Sequence, residues 1–141
     1  MATFQSSLVQ NKTRSHVGGG SQEVVVFASY TFAAAPALND VVEMVRVPAG
    51  ATITGITLGA TDMDTNGVPT LVLDVGDGAD TDRFIDGATI GQTGGASTAF
   101  AVSGFGYAYT ANDTIDVLIQ VGPATGAVGT LYMRVSYVLN R

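Results

Sequence analysis

No stretch of about eleven or more residues in this 141-residue chain repeats its apolar side chains with the period of a helix. From residue 23 to residue 139 the recurring pattern is the period of two, which sends alternate side chains to opposite faces of a strand. About eight short runs of this kind are separated by Gly- and Asp-rich turns. That spacing predicts an all-β fold: an antiparallel two-sheet sandwich of jelly-roll type, spanning residues 23–141. The length fits one domain, large enough to bury a core without disulfides.

The strands are read as follows. Strand one is Glu23 to Phe32, with Val24, Val26, Ala28, Tyr30 and Phe32 on one face and Val25 and Phe27 on the other. Strand two is Val41 to Val47, where Glu43 and Arg46 put one charge on each face and leave the inward side undecided. Such two-sided strands suit a sheet with one face in the core and the other in an interface. Thr52 to Leu58 alternates, then changes phase at Gly55, which predicts a β-bulge. Thr70 to Val75 and a short Arg83 to Ile85 follow, then a Gly-rich connection from Gly87 to Ser97. A sixth strand is expected over Thr98 to Thr110, with Phe105, Tyr107 and Tyr109 on one face. The last two, Thr114 to Val121 and Thr130 to Leu139, alternate most cleanly, and the loop around Gly122-Pro123-Ala124-Thr125-Gly126 predicts an antiparallel hairpin.

Residues 1–22 differ from the rest. They are polar, contain no acid, and end in Gly18-Gly19-Gly20-Ser21, a flexible-linker composition. A disordered tail is the bland reading. The reading we adopt is an extended N-terminal arm over residues 1–22 that docks on a neighbouring subunit through Phe4, Leu8 and Val9, with Lys12 and Arg14 meeting acidic groups. An arm of this composition gains order from what it binds. The first residues show neither the basic nor the apolar region of a Sec-type signal, and no apolar run approaches the ~20 residues needed to cross a bilayer, so no membrane association is expected.

Charge narrows the function. Only 13% of residues are charged, against a usual ~25%, and mean hydropathy is +0.32. Either the surface is polar without charge, or much of it is covered by other chains; we favour the second. Asp62, Asp64, Asp74, Asp77, Asp80, Asp82 and Asp86 hold seven of the twelve acidic residues, and the net charge is −6. An acidic body of this kind excludes direct nucleic-acid binding, which needs a basic face. The absence of Cys removes disulfides and thiolate metal sites and favours assembly in a reducing cytoplasm.

Catalytic constellations are missing. The one His is His16, beside the triple Gly, where a triad could not be held to the necessary precision. Asp62-Met63-Asp64-Thr65-Asn66-Gly67 opens like a calcium loop, making Asp62, Asp64 and Asn66 the only metal candidates. Leu73 stands where the twelfth-position Glu belongs, and the flanks are strands, so Asx turns are the better reading. The loop from Asp77 to Asp82 is read as solvated acid that Arg83 partly neutralises. No enzyme and no cofactor is expected.

Three phrases carry a resemblance: Val47-Pro48-Ala49-Gly50-Ala51-Thr52-Ile53, the stretch from Leu73 to Phe84, and Tyr109-Thr110-Ala111-Asn112-Asp113-Thr114-Ile115. They resemble turn-plus-strand phrases of tailed-bacteriophage virion proteins, most of all the small head-decoration, or cement, proteins. The resemblance implies a homo-oligomer, a trimer, that binds the major capsid protein on the capsid exterior and bridges its subunits after assembly in the host cytoplasm. A tail or fibre-base module and a carbohydrate-binding, adhesin-like sandwich are the alternatives.

Overall fold

A computed structural model describes residues 1–10 and 22–139, with Ser7 and Leu8 described by backbone alone. The described residues form nine strands: β1 (Thr3–Gln5), β2 (Glu23–Thr31), β3 (Val41–Val47), β4 (Ala51–Ala60), β5 (Val72–Gly76), β6 (Ile85–Ala88), β7 (Gly95–Ser97), β8 (Asp113–Val121) and β9 (Thr130–Leu139). A single short helical turn, α1 (Ser7–Gln10), follows β1. The strands make two packed sheets, ordered β1-β3-β8-β5-β6 and β2-β9-β4-β7. Pairing is antiparallel throughout except between β1 and β3. The result is the all-β, jelly-roll-like sandwich that the alternation predicts. Among the described residues no helix is long and apolar enough to cross a membrane.

The core lies between the sheets. β8 contributes Ile115, Val117 and Ile119, and β9 contributes Leu131, Met133, Val135 and Tyr137, all buried. Full burial of such a side chain stabilises by about 1.5–3 kcal/mol relative to exposure, so the two sheets are held chiefly by this layer. The bulge expected at Gly55 is present: β4 shifts register against β9 between Ile53 and Gly55. Ile53 before the slip and Ile56 and Leu58 after it are therefore all buried.

A second bulge resolves the ambiguity of β3. Its register against β8 shifts between Glu43 and Val45, leaving Met44 as the extra residue. Val42 and Met44 point inward before the slip, Val45 and Val47 after it. The apolar residues on both nominal faces thus serve one core, not a core and an interface. Ser6 closes the gap, its hydroxyl donating to the Met44 carbonyl and its N–H to the Glu43 carbonyl.

Three expectations are corrected. The last two strands are not a hairpin: β8 lies in the five-stranded sheet and β9 in the four-stranded one, so the Gly122–Gly126 connection crosses between layers. Residues 98–110 are not a strand. They run irregularly along the side of the sandwich, with a 3-10 turn at Val102–Gly104 and one bridge from Ala108 to Thr52. The segment before β2 is not wholly an arm held by a partner: β1 adds to β3 of its own chain, and Phe4 lies against Tyr30 and Phe32 at 5.6 and 5.9 Å between ring centroids.

Candidate functional site

The loop that opens like a calcium site is built as a structural knot. Asp64 is buried, and its Oδ2 accepts from the N–H groups of Thr70 (2.7 Å), Leu71 (3.1 Å) and Ala124 (2.9 Å). Its Oδ1 accepts from Thr125 at 2.9 Å and Asn66 at 3.4 Å. Burial would raise this carboxyl, but the four bonds from Thr125, Thr70, Ala124 and Leu71 hold it well below the usual carboxylate range. Asp62 accepts from the Asp64 N–H, and Asn66 from that of Val68, the bonds of Asx turns. A cation here would have to displace these donors. The knot ties the β4–β5 loop to the crossing between β8 and β9.

The second acidic loop is organised around Asp77. Arg83 Nε meets its Oδ2 at 2.7 Å, and the Tyr109 hydroxyl donates to the same oxygen at 3.0 Å. Ala79 and Asp80 donate their N–H groups to Oδ1. Burial opposes ionisation of Asp77, and the Arg83, Tyr109 and backbone bonds overcome it, leaving the carboxyl below its ordinary range. The Arg83 guanidinium lies 3.9 Å over the Tyr107 ring, and Phe84 centres an aromatic cluster with Phe100, Tyr107 and Tyr109. The neutralising role expected of Arg83 is thus directed at Asp77 and, at 3.7 Å, at Asp80. Acceptor and donors saturate one another here, and no nucleophile–base pair emerges. Among the described residues no group of three or more His, Asp or Glu is placed to hold a metal.

The outside of the sandwich carries exposed large apolar side chains. On the outer face of the four-stranded sheet Phe27 is 72% exposed and Tyr132 52%, with Val25 beside them on β2. Both walls line a cleft of about 530 Å³. The 3-10 turn raises a second exposed pair, Val102 at 92% and Phe105 at 85%. Phe105 therefore does not share a face with Tyr109, which is buried.

Of the proposed anchors, Phe4 packs on Tyr30 and Phe32, and Val9 is buried within its own chain. The side chain of Leu8 and all of Lys12, Arg14 and His16 lie outside the described residues. Sequence reasoning placed Phe27 on the second face of its strand but did not single it out, and it missed Arg134. A large aromatic on the second face of β2 is the signal for Phe27; Arg134 carries no local signal, because only the register brings it beside Phe27.

No protein-family model matches the chain, and no curated protein matches it. Chains of solved phage capsids do. One from the capsid of Ralstonia phage GP4 superposes with a TM-score of 0.89 at 28% identity, covering 99% of each chain. One from the cyanophage Pam1 capsid asymmetric unit gives 0.77 at 30% identity, over 92% of this chain and 96% of that one. A third, from the acidic stable capsid structure of Helicobacter pylori bacteriophage KHP30, gives 0.50 at 18% identity over 85% and 94%, and bears on the fold alone. A sandwich without a nucleophile–base pair among its described residues, 30% identical over nearly the whole of a Pam1 capsid chain, belongs to the structural proteins of the phage virion.

Proposed function

We propose that this protein is a decoration, or cement, protein: a homo-oligomer, of three copies, that binds the exterior of an assembled capsid and bridges its major capsid subunits. The observation that carries the reading is the placement of large apolar side chains. The core is already closed, yet Phe27, Tyr132, Val102 and Phe105 stand on the outside of a chain with few charges. Exposed apolar groups of this kind mark surfaces meant for other chains. Capsid chains as the structural neighbours favour the head over a tail or fibre-base module. The engagement of Asp64 and Asp77 by hydrogen bonds and by Arg83 favours a non-enzymatic role.

The N-terminal segment enters the proposal in a changed form. Phe4 and Val9 fasten its start to the sandwich. Lys12 and Arg14 are the residues we assign to acidic groups of the shell or of an adjacent copy. The Cys-free composition suits assembly in the reducing host cytoplasm. Addition of purified protein to capsids made without it tests the reading. Co-sedimentation at saturating occupancy, with a raised temperature of shell disruption, is expected. Capsids that stay bare and melt unchanged would overturn it.

A further inference from the structure

Two separate surfaces of this chain are complementary to each other. The first is the cleft on the four-stranded sheet. Register sets Phe27 beside Arg134, and Tyr132 beside Gly59 and Ala96 on the next rung. Gly59 and Ala96 lie beyond Tyr132 on the side away from Phe27, and Thr57 lies beside Arg134, so small side chains line the far side of the cleft. Arg134 stands at this cleft, and among the described residues no carboxylate pairs with it. An unpaired guanidinium between exposed aromatics is the arrangement that dominates binding energy at protein interfaces.

The second surface is the knob made by the 3-10 turn. Val102 and Phe105 project from it almost fully exposed. The turn is held rigidly from below: the Ala101 N–H donates to the Phe84 carbonyl at 2.7 Å, and the Ser103 hydroxyl donates to the Arg83 carbonyl at 2.8 Å. Gly104 rests so closely on Phe84 that a Cβ there would lie 2.5 Å from Cδ1. A rigid apolar knob loses little entropy on docking. The acidic loop stands behind it, bonded to the turn through Arg83. Arg83 is engaged by Asp77 and Asp80, which leaves Asp82 and Asp86 without a cation among the described residues. The knob therefore presents apolar groups backed by net negative charge, and the cleft presents apolar walls around a positive one.

We infer that the knob of one copy seats in the cleft of the next, with Val102 and Phe105 between Phe27 and Tyr132 and the acidic loop facing Arg134. This deepens the homo-oligomer of the proposed function and rests on it. Because the two surfaces differ, the contact is head-to-tail, and in the three-copy oligomer of the proposed function it closes into a ring instead of a two-fold dimer. Both halves lie on the same chain and match in charge, which is why a second copy is the occupant and not an unrelated acidic protein.

Sedimentation of the purified full chain, without capsids, tests the contact. Wild type should sediment as a closed oligomer at tens of micromolar. Phe27→Ser, Phe105→Ser and Arg134→Glu should each weaken association at least tenfold while leaving the melting transition cooperative. Mixing Phe27→Ser with Phe105→Ser should give a dimer, since one intact cleft then meets one intact knob. Arg134→Glu combined with Asp82→Arg should regain association. Variants that keep the wild-type oligomer, or a mixture that stays monomeric, would overturn the inference. A wild type that stays monomeric but decorates capsids sinks this contact and leaves decoration standing. A wild-type ring dependent on these residues that ignores capsids does the reverse.

Discussion

Replacing Asp116 by Asn should stabilise the sandwich above neutral pH and change it little in mild acid. Asp116 lies in β8 opposite Glu43 of β3 and Gly76 of β5. Its Oδ1 is buried with no hydrogen-bond partner among the described residues. Burial is the main influence on the carboxyl; a bond from the Thr114 side chain opposes it, and the like charges of Glu43, Asp113 and Asp77 add to it, so that it is pushed up to about 7. In the unfolded chain an Asp titrates near 3.9. The folded state thus keeps a proton that the unfolded state releases between about pH 4 and pH 7. Stability is therefore lost as pH rises through this window, and the loss is complete above it. A gap of about 3 units at 1.36 kcal/mol each sets an upper limit of about 4 kcal/mol. Asp116 is not sealed from solvent, and screening reduces the expected effect to about 2–3 kcal/mol. Asn cannot ionise, so the variant should escape this loss. Urea unfolding of both proteins near pH 5 and pH 8.5 measures it. Parallel pH profiles for wild type and variant would refute the reasoning, because they would mean that the folded carboxyl is already ionised at pH 5.

Removal of residues 1–10 should lower the melting temperature even without capsids, because it strips Ser6 from the β3 bulge and Phe4 and Val9 from their packing; Phe4→Ala alone should cost about 2 kcal/mol in urea unfolding. A deletion that melts like wild type would mean that this segment is held by a neighbour instead. Asp64→Ala should lower the melting temperature and speed hydrogen exchange at the Thr70, Leu71, Ala124 and Thr125 amides more than in β9. The depressed Asp64 carboxyl has the opposite sign to Asp116: its contribution is present above the ordinary Asp range and is lost as pH falls towards its folded value, which an acid titration of the melting temperature would detect against the Asp64→Ala variant. Gly76→Ala should prevent folding, since the new Cβ would lie 2.0 Å from the Asp80 carbonyl oxygen, which is backbone and cannot rotate away. Soluble Gly76→Ala protein with the wild-type melting temperature would contradict that placement.

Alternation located the long strands β2, β3, β4, β8 and β9, because an amphipathic strand writes its own period into the sequence, but not the three-residue strands β1 and β7. β3 runs over the residues expected, and the Gly55 bulge was visible because apolar side chains change phase around it. The Met44 bulge was hidden, since Glu43 and Arg46 fall on both sides of the slip and erase the contrast. Alternation says nothing about partners, so β8 and β9 looked like a hairpin although they lie in different layers. Residues 98–110 imitated a strand because Phe100, Tyr107 and Tyr109 all serve the Phe84 cluster from an irregular path. The docking of Phe4 was illegible for another reason: β1 pairs with residues 38 positions away, and no local pattern encodes that. The surface cleft was half visible, as Phe27 stood on the second face of β2, while the pairing of Phe27 with Arg134 required the register.

The order of strands within the sheets bears on how the protein is made. β8 is the middle strand of one sheet, and β9 lies between β2 and β4 in the other. Each layer therefore receives its central strand last. A nascent chain that has released β1 to β7 can pair β1 with β3, β4 with β7 and β5 with β6, but it has nothing to join these pairs and β2 into two layers. Folding must wait for residues 113–139, and it then proceeds through distant pairings, a slow class of reaction. A ribosome that stalls before β9 releases a chain whose second sheet is unjoined and whose core lacks Leu131, Met133, Val135 and Tyr137, which proteases can clear. Copies able to fold and assemble are then only those in which both central strands have been made.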